Sequence, residues 1–93
     1  MLKVSKILKI ETFFITCEFN NGIVRTIDVG PVIENHSNLD GIEKLKNPDT
    51  FSKVSVGIFG EIVWDKIITT THNGQTSVWD YDLSPEFILE NAI

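Results

Sequence analysis

The chain has 93 residues, of which 42% are hydrophobic and 23% are charged, a composition typical of a globular domain and far from that of a disordered chain. A chain of this length builds one core, so we predict a single domain over residues 1–93. Thirteen acidic and eight basic residues give a net charge of −5, which disfavours direct binding to nucleic acid, and no apolar run approaches the roughly 20 residues that cross a membrane.

The cysteine content and the N-terminal segment bear on the compartment. The single cysteine, Cys17, cannot form an internal disulfide, which fits a reducing environment. The first ten residues, MLKVSKILKI, carry lysines where the apolar stretch of an export signal would run. We therefore predict a cytoplasmic protein with no membrane association.

The first strands are predicted from an alternation of apolar residues. Residues 2–10 fit a strand in which one parity is apolar except at Lys6, although a helix also fits part of this segment. That parity consists of Leu2, Val4, Leu8 and Ile10. Residues 12–19, TFFITCEF, alternate more regularly and are rich in β-branched and aromatic side chains, which favours a second strand.

The segment Asn20-Asn21-Gly22 predicts a hairpin with two alternative registers. A two-residue turn places Glu18 opposite Arg25 and gains an ion pair of about 0.2 to 1 kcal/mol. A three-residue loop places Cys17 opposite Arg25 and gathers apolar side chains on one face, each worth about 1.5 to 3 kcal/mol on burial. We expect the three-residue loop, which puts on that face Phe13, Ile15, Phe19, Ile23, Ile27 and Val29.

Arg25 is the only arginine and the one charged residue on that apolar face. A buried, unpaired guanidinium would cost several kcal/mol, so its head must reach water or a carboxylate. We expect its stem to lie along the sheet with its head in solvent. The alternative is that Arg25 recognises an anion or contacts a partner.

The middle of the chain predicts short helices. Gly30-Pro31 ends the third strand, because proline cannot donate to a sheet, and residues 34–40 are expected to form a polar loop. The segment Asp40-Gly41-Ile42-Glu43 resembles a capping box. Asn47-Pro48 predicts a second helix start, with Asn47 as the cap and proline at the first helical position.

The second half predicts another hairpin and a closing helix. Strands are expected over residues 54–58 and 62–72, and Asn73-Gly74 is a two-residue turn. Counting back from that turn predicts four cross-strand pairs, Thr71–Thr76, Ile68–Trp79, Lys66–Tyr81 and Trp64–Leu83. Ser84-Pro85 then begins a helix whose inward residues are Phe87, Ile88 and Leu89. The whole is predicted to be an α+β fold of antiparallel hairpins, with about five to six strands, short middle helices and a C-terminal helix.

No catalytic or cofactor motif is present, since the chain lacks a Gly-rich phosphate loop, CxxC and HExxH. Cys17 falls on the apolar face, where a neutral core thiol is favoured over a nucleophile. His36 and His72 have no second ligand at helical spacing, so both are predicted to be surface or loop histidines. We expect no catalytic residue and no cofactor.

Three aspartates provide the one candidate metal site. In the predicted register Asp65 lies opposite Asp82, and Asp80 has the same parity. Facing carboxylates either bind a cation or stand in water at the strand ends, and we expect the second, because no other type of ligand is near. Trp64 and Trp79 both fall on the apolar parity, so both are predicted to lie in the core.

Three stretches taken in order, FNNGIVRTIDV, KLKNPDTFSKVSV and VWDYDLSPEFILEN, resemble the bacterial family known as domain of unknown function 2442. The residues that carry the resemblance are Phe19, Gly22, Asp28, Leu45, Pro48, Phe51, Trp79, Asp82 and Leu83. The stretch KIITTTHNGQTS is additional to that pattern, and it leaves open which tryptophan corresponds to the family's. The resemblance implies a small α+β domain without an established activity, often encoded beside a second small protein in a toxin–antitoxin-like pair.

The family is also sometimes joined to a helix-turn-helix, for which we expect no room before Ile93. From these features we expect a non-enzymatic protein-interaction module with a protein partner, and edge strands leave self-association open. Two alternatives stand beside it. One is a cation-dependent small enzyme that uses Asp65, Asp80 and Asp82, and the other is a transcription-associated regulator.

Overall fold

The computed structural model describes residues 1–93, which form six strands, three short α-helices and one 3₁₀ helix. In chain order these are β1 (Val4–Glu11), β2 (Phe14–Phe19), β3 (Val24–Asp28), α1 (Gly30–Asn35), the 3₁₀ helix (Ile42–Lys46), α2 (Pro48–Phe51), β4 (Ser55–Val56), β5 (Ile62–His72), β6 (Gln75–Leu83) and α3 (Pro85–Glu90). The strands make two antiparallel sheets, in the orders β1-β2-β3 and β4-β5-β6. The predicted α+β fold with a C-terminal helix is confirmed.

The first hairpin, β2–β3, has the three-residue loop. Cys17 lies opposite Arg25, and the Phe19 N–H donates to the Ile23 carbonyl at 2.8 Å. The two-residue alternative, which would place Glu18 opposite Arg25, is wrong. The gain from burying several apolar side chains exceeds that of one exposed ion pair, as the magnitudes indicate.

Strand β1 does not keep a single apolar parity. Its pairing with β2 shifts register twice, between Val4 and Lys6 and again between Ile7 and Lys9. Ile7 and Ile10 consequently pack against the core, whereas Leu8 is 46% exposed. The predicted inward position of Leu8 is wrong, because each bulge moves the following side chains to the other face.

The segment after β3 contains a helix that the sequence analysis did not predict. Helix α1 begins at Gly30, with a proline in its first turn, and buries Val32 and Ile33. Its last residues therefore belong to a helix and not to the polar loop expected over residues 34–40. Proline in a first helical turn is a helix-start signal, because an N–H at that position would have no acceptor within the helix and its absence costs nothing.

The two predicted helix starts in the middle are found. The Asn47 side chain accepts a hydrogen bond from the Asp49 N–H at 2.9 Å and caps α2. At the 3₁₀ helix only half of a capping box forms, in which the Gly41 N–H donates to Glu43 Oε2 at 3.0 Å. The predicted strand over residues 54–58 is short, because only Ser55 and Val56 pair with β5.

The second hairpin, β5–β6, has the predicted turn but not all of the predicted pairs. His72 pairs with Gln75 across Asn73-Gly74, as a two-residue turn requires. The pairs Thr71–Thr76 and Ile68–Trp79 are confirmed.

Beyond Ile68 the register shifts, so that Trp64 pairs with Tyr81 and Ile62 with Leu83. The predicted pairs Lys66–Tyr81 and Trp64–Leu83 are wrong, because β5 carries two extra residues in a bulge between Trp64 and Ile68.

The core contains 19 buried hydrophobic residues and no buried charged residue. Trp64 lies at its centre, 1% exposed, and its Nε1–H donates to the Phe51 carbonyl at 2.9 Å. Ile88 of α3 is buried, while Phe87 and Leu89 are partly buried against the same core. The two sheets adjoin where the Val4 N–H donates to the Gly60 carbonyl at 2.9 Å.

Trp79 is not in the core. Its side chain is 55% exposed, so the prediction of two core tryptophans is wrong for one of them. Trp79 lies in the part of β5–β6 that extends beyond the body, and the chain is accordingly elongated, with extents of 46, 25 and 21 Å. Alternation assigns a residue to one side of a strand, but it does not show that anything covers that side.

Candidate functional site

The thiol of Cys17 is buried in the first sheet. Its side chain is fully buried, and burial raises its pKa to about 11 from the ordinary 9.0, since the thiolate would lose its hydration. A thiol that stays protonated at neutral pH reacts slowly with electrophiles. The structure therefore places Cys17 among the core side chains, as its alternation predicts.

The pKa values of Cys17 and Tyr81 predict a loss of stability in alkaline solution. Burial raises the pKa of Cys17 to about 11 from 9.0, so above pH 9 the unfolded chain releases this proton and the folded chain keeps it. The free energy of unfolding should fall by up to about 1.4 kcal/mol for each pH unit between these two pKa values. Urea unfolding at a series of pH values measures this slope.

The variant Cys17→Ala isolates the contribution of the thiol. The pKa of Tyr81 is raised to about 12 from 10.0, mainly by burial and further by the charge of Asp82, so its contribution begins about one pH unit higher. The variant should keep a constant free energy of unfolding up to about pH 10, and then lose stability like the parent. A variant that loses stability from pH 9 as steeply as the parent would show that Cys17 does not hold its proton.

Arg25 reaches solvent, as we expected from the sequence. The residue is exposed, and its Nη1–H donates to the neighbouring Val24 carbonyl at 2.8 Å. The two ion pairs of the chain lie elsewhere, between Lys9 and Glu11 and between Lys46 and Glu34. The guanidinium thus has no carboxylate partner, and a role of Arg25 in binding a partner stays a prediction.

The three aspartates are not assembled into a metal site. The bulge in β5 places Val63, and not Asp65, opposite Asp82. Asp80 Oδ1 accepts the Lys66 N–H at 2.9 Å, so this carboxylate stabilises the backbone of the bulge, where Lys66 has a positive φ of 51°. No group of three or more His, Cys, Asp or Glu side chains comes close enough to hold a metal ion.

The two histidines lie in different surroundings. His72 is exposed beside the β5–β6 turn. His36 follows α1 and is half-buried, and its Nδ1 lies 2.6 Å from the Tyr81 hydroxyl. This bond joins residues 45 positions apart, and no sequence signal indicated it. The hydrogen bond between His36 and the Tyr81 phenol fixes the loop after α1 against β6.

The largest cleft of the body, about 390 Å³, is open to solvent at the N-terminal end of α3. Leu2 and Phe59 line it together with the carboxylates of Glu61, Asp82 and Glu86. Glu61 Oε1 already accepts the Phe59 N–H at 3.0 Å. Ser84 also lines the cleft, but its Oγ accepts the Phe87 N–H at 3.1 Å and caps α3, and no histidine lines the cleft beside it.

The most distinctive surface is the distal half of the second hairpin, residues 70–79, which we call the arm. Every residue from Thr70 to Asp80 is exposed, including Val78 at 52% and Trp79 at 55%. The Trp79 Nε1–H donates to Thr70 Oγ1 at 2.7 Å, which fixes the indole across the two strands. A two-stranded ribbon with no third layer is marginally stable in water.

The arm is also uncharged. Residues 67–79, IITTTHNGQTSVW, contain no Asp, Glu, Lys or Arg, although 23% of the chain is charged. Exposed edge strands usually carry lysine, proline or a bulge that prevents pairing with other chains. In β6 none of these occurs between Gln75 and Trp79. The arm therefore presents a flat, neutral edge to solvent.

The outer edges of the two sheets differ in how they are covered. At β3 the C-terminal tail covers the edge, since Ile27 bridges to Ala92 and the Ile93 N–H donates to the Thr26 carbonyl at 2.9 Å. The central strand β5 pairs with β4 only at Ile62 and Val63, and farther along it the Thr69 N–H donates to the Asp40 carbonyl at 2.8 Å. No backbone group of β6 between Thr76 and Asp80 makes such a bond.

Comparisons of the chain with protein-family models, with curated proteins and with solved structures find no match. No helix of the structure has the length and apolar character needed to span a membrane. The exposed arm and its open edge are the surface features that bear on function.

Proposed function

We propose that the chain is a non-enzymatic protein-interaction module of the cytoplasm that binds a partner protein through the arm. The observation that carries this proposal is the uninterrupted exposure of residues 70–80, with Val78 and Trp79 more than half exposed. Aromatic side chains and open strand edges are the features that partner strands use when they extend a sheet. A compartment that keeps Cys17 reduced is consistent with a lone buried thiol.

The exposed side chains of the arm contribute little to the stability of the fold and leave apolar area that a partner can cover. Its residues contribute no buried side chain to the core, so the arm adds little to the free energy of unfolding. An exposed valine and an exposed tryptophan leave apolar area in water, at roughly 25 cal/mol for each Å². A partner that covers this area recovers that free energy, and it also supplies hydrogen bonds to the open edge.

The chemistry-bearing side chains of the body support a non-enzymatic role. Cys17 is buried, Asp80 is hydrogen-bonded to the Lys66 backbone, and His36 is bonded to Tyr81. Each of these groups serves the fold. The alternative of a cation-dependent enzyme that uses Asp65, Asp80 and Asp82 has less support, because these carboxylates do not gather around one point.

The partner is proposed to be a protein encoded beside this chain, with the chain as the acidic member of a two-gene pair. The net charge of −5 favours a partner of opposite charge, because complementary potentials speed association. The neutral arm then supplies the contact, and the acidic body supplies the long-range attraction. Binding to such a partner should slow as salt is added.

The test uses an arm-shortened variant that lacks Thr71, His72, Gln75 and Thr76. This deletion keeps the Asn73-Gly74 turn and closes it on Thr70 and Ser77, which already pair, so the body is left unchanged. The full chain should capture a partner from native cells, and the purified partner should bind the full chain in a fixed ratio. The arm-shortened variant should lose at least about tenfold in affinity, because the deletion removes four residues of the contact surface, including Thr76 of the outer edge.

A second variant, Arg25→Gln, separates the arm from the β3 surface. Partner binding that survives shortening of the arm but is lost in Arg25→Gln would contradict the proposal and assign the contact to β3. Equal binding of the partner by the full chain and the arm-shortened variant would also contradict it.

A further inference from the structure

We propose that the outer edge of β6 binds a second copy of this chain, with two arms pairing antiparallel about a two-fold axis at Val78. This inference goes beyond the proposed function, since it adds a second occupant of the same surface, which would compete there with the partner protein. Three properties of the arm support it, namely the direction of its free backbone groups, the register that these groups allow and the absence of charge.

The backbone groups of β6 alternate between the two sides of the strand. A two-residue turn makes His72–Gln75 a hydrogen-bonded pair, so Gln75, Ser77 and Trp79 direct their N–H and C=O groups to β5. Thr76, Val78 and Asp80 then direct theirs outward. The same alternation in β5 turns the Thr69 N–H outward, and this group is indeed bonded to the Asp40 carbonyl at 2.8 Å.

The outward backbone groups of β6 can pair with the same groups of a second copy. When Val78 faces Val78 of a second copy, Thr76 faces Asp80 in both directions, and all the outward groups of both strands fall in hydrogen-bonded pairs. About six backbone hydrogen bonds form in this register, two for each pair. The side chain of Ser77 then lies opposite that of Trp79 from the other copy, which covers part of the exposed indole.

The distribution of charge along β6 favours the same register. Two chains of net charge −5 repel each other, so they can approach closely only where neither carries charge, and residues 67–79 are such a surface. A two-fold axis at Asp80 would place two carboxylates face to face, which is unfavourable. An axis at Val78 places each Asp80 opposite a threonine, so that no like charges face each other across the pair.

The other edges of the molecule are less suited to self-pairing. The tail covers β3, the pairing of β1 is interrupted by two register shifts, and in β5 the Thr69 N–H is already bonded to the Asp40 carbonyl. The edge of β6 is continuous over residues 75–83, since the bulge of this hairpin lies in β5. Pairing through β6 would join two three-stranded sheets into one continuous sheet of twice the width.

The test is the mass of the chain in solution as a function of concentration. An edge-to-edge contact of this length falls in the class of small interfaces below about 1,200 Å², so we expect a dissociation constant in the micromolar range. Sedimentation equilibrium between about 5 and 500 μM should therefore show a transition from 10.5 kDa to twice this mass.

Two variants at the axis locate the interface. Val78→Pro removes the central outward N–H, which has no partner within the monomer, and Val78→Lys places a charge on the axis. Both should remain at 10.5 kDa over the whole range. The matched control is Val24→Lys, an exposed valine on the tail-covered strand β3, which should dimerise like the parent.

Three outcomes would overturn the inference. They are a parent chain that stays at 10.5 kDa throughout, Val78 variants that dimerise as tightly as the parent, and loss of dimerisation in Val24→Lys. A monomeric parent whose arm still binds a different protein would overturn only the self-pairing. Loss of arm-dependent binding to every protein, this chain included, would overturn the proposed function as well.

Discussion

Replacing Trp64 by alanine is expected to lower the free energy of unfolding by about 3 to 5 kcal/mol, the usual range for removing a large core aromatic residue. The side chain is 1% exposed and packs against Phe51 and Tyr81, with ring centroids 5.7 and 6.0 Å away. The change also leaves the buried Phe51 carbonyl without the indole N–H that it accepts at 2.9 Å. A chain of this size has roughly 5 to 14 kcal/mol in total, so much of the stability depends on this residue.

The matched control is Trp79→Ala, which removes the same side chain from the arm. Because Trp79 is 55% exposed, its loss should change the free energy of unfolding by less than about 1 kcal/mol. Chemical denaturation of both variants measures the difference. Equal destabilisation by the two substitutions would show that Trp79 is packed in the fold, and the arm would then not be a free surface. If Trp64→Ala fails to fold, Trp64→Phe should give a smaller loss in the same direction.

Replacing Gly41 by alanine is expected to be the second severe change. A Cβ at this position would overlap the Ile67 carbonyl oxygen, and the backbone φ of 107° is one that L residues rarely adopt. The loop cannot easily move away, because the Asp40 carbonyl accepts the Thr69 N–H at 2.8 Å. Backbone strain alone costs about 1 to 3 kcal/mol, and the overlap with β5 adds to it.

Gly74→Ala separates the strain from the overlap. Gly74 also has a positive φ, 78°, but nothing lies within 4 Å of its added Cβ. The variant should lose about 1 to 2 kcal/mol, as expected for a left-handed residue with a side chain. Thermal and urea unfolding should rank Gly41→Ala as clearly less stable than Gly74→Ala. The reverse ranking would mean that the loop before the 3₁₀ helix does not rest on β5.

The elements that the sequence predicted correctly are those controlled by local chemistry. The loop after Phe19 followed from weighing one surface ion pair against several buried side chains, and the Asn73-Gly74 turn and the Asn47 cap depend on a few adjacent residues. Such signals need no knowledge of the rest of the fold.

The incorrect predictions of strand register come from bulges. In β5 two extra residues move Trp64 from Leu83 to Tyr81 and separate Asp65 from Asp82. Adjacent residues do not mark this bulge in the sequence. Lys66 takes a positive φ there, and its N–H is bonded to the Asp80 side chain on the other strand. Counting in twos from a turn holds only until the first irregularity.

The candidate site could not be derived from alternation. Valine and tryptophan are residue types that usually lie in a core. The alternation of apolar residues gave no indication that Val78 and Trp79 belong to a half of the hairpin that extends beyond the body. The absence of charge over residues 67–79 was visible in the sequence. Its meaning depends on exposure, because an uncharged strand is ordinary in a core and unusual on an open edge.

The central claim is that the outer edge of β6 is open in the isolated chain and is covered by another strand in the functional state. Amide hydrogen exchange of the dilute protein, followed residue by residue, tests it most directly. We expect the outward amides of Thr76 and Val78 to exchange faster than the inward amides of Ser77 and Trp79, and to become protected as protein or partner is added. Outward amides that are as protected as their inward neighbours in the dilute monomer would contradict the claim.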